Sequence, residues 1–225
     1  MKKTILTALA ALLVAVPAVK AQKVNKEALL AKIEKSDADI ANEKKAAKAA
    51  TWLARGKAFY EVAVEPTKSI FANMEPTMLK LAVGEPKSTT KETLNGTEYD
   101  AWVYPYFTAY VKDNKVVTWK QSKWVLKDAP KKAIEAYNKA YELDPKTAEK
   151  VKEVSYFCSQ VGNVGIDSGN YVEAADAYVT AFEAQSSPAY EKADPALLYY
   201  AGYLLTVDGS NNPKSFTKGG EYLTK

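Results

Sequence analysis

Apolar side chains recur at helical spacing over most of this chain and alternate only in a short middle stretch. Leu29, Leu30 and Ile33 mark one face of a short first helix. Ser36-Asp37 is placed to cap a second helix, which runs through an alanine- and lysine-rich stretch to Ala63 before Pro66 stops it. Within that helix Trp52, Gly56 and Phe59 fall at i, i+4 and i+7, so two rings flank a glycine over which another backbone can pass closely. From Asp128 onward the helical period returns. Asp128 caps a helix whose face carries Ala133, Tyr137 and Ala140, and Asp144-Pro145 ends it. Further helices are predicted near 146–168, 171–185, 195–208 and 214–225. Gly169-Asn170-Tyr171 forms a turn, after which Ala174, Tyr178 and Ala181 recur small-large-small on one face.

The middle of the chain, 66–127, has a different character. Pro66, Pro76, Pro86 and Pro105 interrupt it, residues 84–90 read as loop, and Asn95-Gly96 is a turn signal. Residues 106–121 predict a β-hairpin with Asp113-Asn114 as its turn and Tyr110-Val111 facing Val116-Val117. Pro105 makes its first strand an edge or broken strand.

The start of the chain alters the charge picture. Met1-Lys2-Lys3 is basic, residues 4–18 are almost wholly apolar, and Val19-Lys20-Ala21 suits a signal peptidase, so 1–21 is predicted to be a removable leader. No cysteine stands at the cleavage point to carry a lipid. The expectation is an exported protein of the periplasm or cell exterior, with no stable membrane insertion once the leader is gone. The leader takes three lysines and no acid from totals of 31 and 27, leaving 28 basic against 27 acidic residues. That near-neutral balance argues against a nucleic-acid partner, which needs a basic stripe. Lys44, Lys45 and Lys48 read as a solvated helix face.

The chain has no histidine and one cysteine, Cys158, so neither a Ser-His-Asp or Cys-His centre nor a His-ligated zinc site can be built. One thiol forms no internal bridge, and its apolar helical context predicts a buried small residue. The glycines at 162, 165 and 169 lie within and at the end of a helix, which is the wrong place for a phosphate loop. No catalytic residue, metal ligand or cofactor is nominated, and the expected role is non-enzymatic.

Three places along the chain resemble the tetratricopeptide repeat, a pair of antiparallel helices with small and large residues at fixed positions. The first unit has Trp52, Arg55, Gly56 and Phe59, resuming with Ala133, Tyr137, Ala140 and Pro145. The second has Cys158, Val161, Gly162 and Gly165, then Ala174, Tyr178, Ala181 and a displaced Pro188. The third has Leu198, Ala201, Gly202 and Leu205, then Gly219 and Leu223. Arg55 stands where leucine is usual and Gly165 where an aromatic is usual. The resemblance implies a mainly α fold, a tetratricopeptide-type α-solenoid of antiparallel helix pairs with a small inserted β-hairpin. Its parts are expected as N-terminal helices at 22–65, the insert at 66–127 and repeat helices at 128–225. Lys225 falls inside the expected last helix of unit three, so the repeats are expected to continue past it.

In that family the first helix of each pair lines a concave groove that holds a protein or peptide partner. The resemblance puts Lys57, Tyr60 and Glu61 in the groove from unit one. Unit two supplies Tyr156, Ser159, Asn163 and Asp167, and unit three supplies Tyr199 and Tyr203. The implied function is an interaction scaffold of the bacterial cell envelope. The alternative is a carbohydrate- or peptidoglycan-binding module on an aromatic surface of the insert, made by Trp102, Tyr104, Tyr106, Tyr110, Trp119 and Trp124. For these aromatics the plainer expectation is the insert's own core, since so small a unit needs aromatic bulk to bury enough surface.

Overall fold

The computed structural model of the chain describes residues 24–209 and 212–224. The expected leader at 1–21 and the last residue, Lys225, lie outside the described residues. Within them the protein is mainly helical, with one small antiparallel sheet between the first and second groups of helices.

Helix α1, Lys26–Ala41, starts where the Asn25 side chain accepts a hydrogen bond from the Ala28 N–H at 3.0 Å, satisfying a donor the helix itself cannot. Ser36-Asp37 does not cap a second helix. Ser36 is buried in α1 and its hydroxyl donates to the Ile33 carbonyl at 2.7 Å, back-bonding that leaves the helix intact. The break falls at Asn42, whose side chain caps the single turn α2, Glu43–Ala46. Helix α3, Ala49–Val64, follows. Arg55 reaches back from it to Asp37 and to the Ser36 hydroxyl, tying α3 to α1.

Helix α4, Pro76–Val83, opens with proline at its first turn, where no N–H is needed. Then come β1 (Ser88–Leu94), β2 (Thr97–Val103), β3 (Phe107–Lys112) and β4 (Lys115–Gln121), paired in chain order. The expected hairpin is present as β3–β4, and a second hairpin, β1–β2, stands beside it. Residues 88–90 are therefore strand rather than loop. β1 reads Ser-Thr-Thr-Lys-Glu-Thr-Leu and is almost wholly exposed, so no apolar alternation marked it, although its threonines suit a pleated surface. Both hairpins turn through two residues at positive φ: Asn95 and Gly96 at 48° and 79°, Asp113 and Asn114 at 50° and 56°. Pro105 sits in the β2–β3 turn and β3 is an interior strand. The register is Val111↔Val116 and Tyr110↔Thr118, which leaves Val117 as the extra residue of a bulge.

Helices α5 (Ala129–Leu143), α6 (Glu149–Asp167), α7 (Tyr171–Gln185), α8 (Ala196–Asp208) and α9 (Pro213–Leu223) complete the described chain. They pack in sequence with small residues at the close approaches. A Cβ at Gly56 of α3 would lie 2.4 Å from the Tyr137 ring of α5. One at Gly162 of α6 would lie 2.7 Å from the Tyr178 ring of α7, and one at Gly165 would lie 2.7 Å from the Ala174 Cβ. One at Gly202 of α8 would lie 3.0 Å from the Gly219 carbonyl of α9. Positions 155, 162 and 165 of α6 meet 181, 178 and 174 of α7, so that pair is antiparallel. Two cores result. One joins α1, α3 and α5–α8 around Phe59, Val62, Val154 and Leu205, and the other seals the sheet with Leu79, Phe107, Val111 and Val116.

Candidate functional site

Helix α6 presents one continuous face to open space. Tyr156, Phe157, Gln160, Val161, Val164, Gly165 and Ser168 line a recess of about 400 Å³. From Tyr156 to the C-cap Ser168 they span thirteen residues, a rise of about 18 Å. Opposite them lie Tyr60 and Val64 at the end of α3, Ile70 and Phe71 of the following turn, and Trp119 and Gln121 of β4. The insert is therefore one wall of the recess. Phe157 is fixed from two sides, by the Tyr60 ring at 6.1 Å and the Trp124 ring at 6.3 Å, both edge-on. Burial raises the Tyr60 hydroxyl above its ordinary pKa, with the Glu153 carboxylate adding to the rise. Tyr156 and Phe71 are 69% and 59% exposed although both are large and apolar, so the mouth of the recess carries two unsheltered rings.

Of the nine groove residues expected, the fold brings Tyr60 and Tyr156 together at this recess and spreads the others. Lys57 is exposed, and Glu61 is engaged by Lys32 at 2.5 Å and Lys57 at 3.9 Å. Ser159 is half-buried and Asp167 is exposed. Asn163 accepts a hydrogen bond from the Tyr178 hydroxyl at 2.6 Å, which fixes its side chain at the α6–α7 seam. Tyr199 and Tyr203 stand exposed on α8, and Tyr200 joins them, its ring 5.8 Å from Tyr199 and 6.1 Å from Tyr178.

The six insert aromatics do not form one surface. Tyr104 and Tyr110 are buried. Trp102, Tyr106 and Trp119 are half-buried against the sheet's core, with the Lys80 ammonium over Trp102. Trp124 packs on the helical core and donates its indole N–H to Glu173. The physical reason is that the face carrying Phe107, Ala109 and Val111 meets α4 and the 70–74 segment, so the rings there join a core, while Tyr110 lies on the opposite face against Tyr99 and Glu92. Phe71 and Phe157 went unmarked in the sequence. Phe157 carries no signal beyond its neighbour Tyr156, and Phe71 lies in a proline-broken stretch without a period.

The remaining chemistry is sparse. Cys158 is buried and its thiol is pushed up to about 12 by that burial, which holds it neutral and unreactive. Among the described residues no group of three or more Cys, Asp or Glu side chains is disposed to hold a metal ion. No described helix is long and apolar enough to cross a membrane. No protein-family model, curated protein or solved structure matches the chain.

Proposed function

We propose that this protein is a non-enzymatic interaction scaffold of the bacterial cell envelope, built as a short tetratricopeptide-type α-solenoid, which holds a protein or peptide partner against the open face of its helices. The observation that carries the reading is the recess along α6, where two rings stay exposed beside tightly packed helix pairs. Exposed rings gathered at one concave site, rather than scattered singly, are the kind of surface a partner covers. The pairing of α3 with α5, α6 with α7 and α8 with α9 through glycine contacts supports the repeat reading. The leader-like first 21 residues support export. The exposed Tyr199 and Tyr203 extend the same kind of contact surface onto the third pair.

The test is capture from a cell-envelope extract with the mature protein, repeated with Tyr156→Ala and with Tyr199→Ala/Tyr203→Ala. All three side chains are exposed, so thermal unfolding should move little in the variants. A defined partner that the parent retains and the variants lose supports the groove. Equal recovery of every partner by parent and variants sinks it.

A further inference from the structure

β4 is an edge strand, since the order β1-β2-β3-β4 leaves its outer side without a neighbouring strand. The chain itself uses one end of that edge. The Asn73 N–H donates to the Val116 carbonyl at 2.7 Å, and the Val116 N–H donates to the Met74 carbonyl at 2.9 Å. Val116 thus turns its main chain away from β3. Beyond the bulge, the pairs Ala109↔Trp119 and Phe107↔Gln121 stand in the same phase as Val111↔Val116, so Trp119 and Gln121 also turn their N–H and C=O groups outward. Among the described residues no main-chain bond meets them on that side. Both residues border the recess along α6.

We propose that the occupant of this recess is an extended peptide segment that adds to β4 as a short further strand at Trp119 and Gln121. One bulky apolar side chain sits between Phe71, Tyr156 and Phe157. The inference rests on the groove reading above and gives it a mode. A recess of about 400 Å³ beside an outward-facing strand edge has room for two or three extended residues and one ring. An open edge supplies affinity through the partner's main chain, and a pocket beside it selects the alternate side chain. The contact of the 73–74 turn with Val116 shows that the outer main chain of this strand takes up main-chain partners.

The probe is a capped heptapeptide of the order lysine, threonine, valine, phenylalanine, valine, threonine, lysine, titrated into ¹⁵N-labelled mature protein. Two further peptides are N-methylated, one along each edge of the extended chain. On binding, the Trp119 and Gln121 amides should exchange at least tenfold more slowly. One methylated peptide should bind at least tenfold more weakly and the other should bind normally. Tyr156→Ala should weaken the parent peptide at least fivefold without altering the dispersion of the free spectrum. Shifts confined to α6, with unchanged exchange at Trp119 and Gln121 and indifference to both methylations, overturn strand addition and leave the groove reading standing. Silence at both places with millimolar peptide also overturns strand addition, while capture of a partner through Tyr199 and Tyr203 would still uphold the groove. Protection that appears without peptide and grows with protein concentration assigns the edge to a second copy of the chain and overturns the proposal.

Discussion

Replacing Gly165 by alanine in α6 probes the close approach of α6 to α7 directly. An alanine in a helix interior is favoured over glycine by about 1 kcal/mol, because it restricts the unfolded chain and shields the backbone. At Gly165 the new methyl would meet the Ala174 Cβ at 2.7 Å, its Cα at 3.1 Å and its N at 3.2 Å. Two of those atoms are backbone, so α7 itself must move, and overpacking of that kind costs about 1–3 kcal/mol, here at the upper end. The net expectation is a loss of about 2 kcal/mol, or a fall of about 4–8 °C in midpoint for a chain of this size. Gly220 in α9 is the control, because nothing lies within 4 Å of a Cβ built there. Gly220→Ala should raise stability by about 0.5–1 kcal/mol. Urea unfolding followed by circular dichroism reads both, and the double variant Gly165→Ala/Ala174→Gly should show a coupling energy of at least about 1 kcal/mol. If Gly165→Ala stabilises the protein as Gly220→Ala does, the close approach of α6 to α7 is wrong and the packing argument falls.

Other expectations concern single groups. Tyr110→Phe removes a 2.9 Å hydrogen bond to Glu92 and should cost about 0.5–1.5 kcal/mol, whereas Tyr104→Phe removes a buried hydroxyl without a partner and should stabilise by about 1 kcal/mol; urea midpoints that move in the same direction would refute the contrast. Burial raises the pKa of Cys158 and of Tyr60, Tyr104, Tyr110, Tyr137 and Tyr178, so the folded state holds these protons more tightly than the unfolded state. That stability is complete below about pH 9 and is lost as pH rises through the folded values. Absorbance at 295 nm should therefore show part of the tyrosine ionisation delayed until the chain unfolds in alkali, and a single titration near pH 10 with the fold intact would contradict it. With its thiol at about 12, Cys158 should react with a thiol reagent at pH 8 roughly a thousandfold more slowly in the native protein than in urea; rapid native labelling would show an accessible thiol.

The helix content was legible because burial on one side of a helix writes a 3.6-residue period into any sequence. The helices α5 to α9 fall within three residues of the expected bounds, and both two-residue turns fall where Asn95-Gly96 and Asp113-Asn114 placed them. The resemblance placed Gly56 and Tyr137 in the two helices of one unit, but the expected close backbone over Gly56 is instead the Tyr137 ring. The α1 boundary was not readable: Ser36 satisfies capping chemistry and back-bonding equally well, and only the packing of α3 on α1 keeps the helix running to Asn42. β1 was invisible because an exposed edge strand buries no side chain and so carries no alternation. Which aromatics face water was likewise undecided, since Tyr104 and Tyr156 belong to one residue type and differ only in what folds over them. Local chemistry thus set where the chain turns and coils. Contacts distant in sequence decided which rings are core, which edge stays open, and that the insert closes one side of the α6 recess.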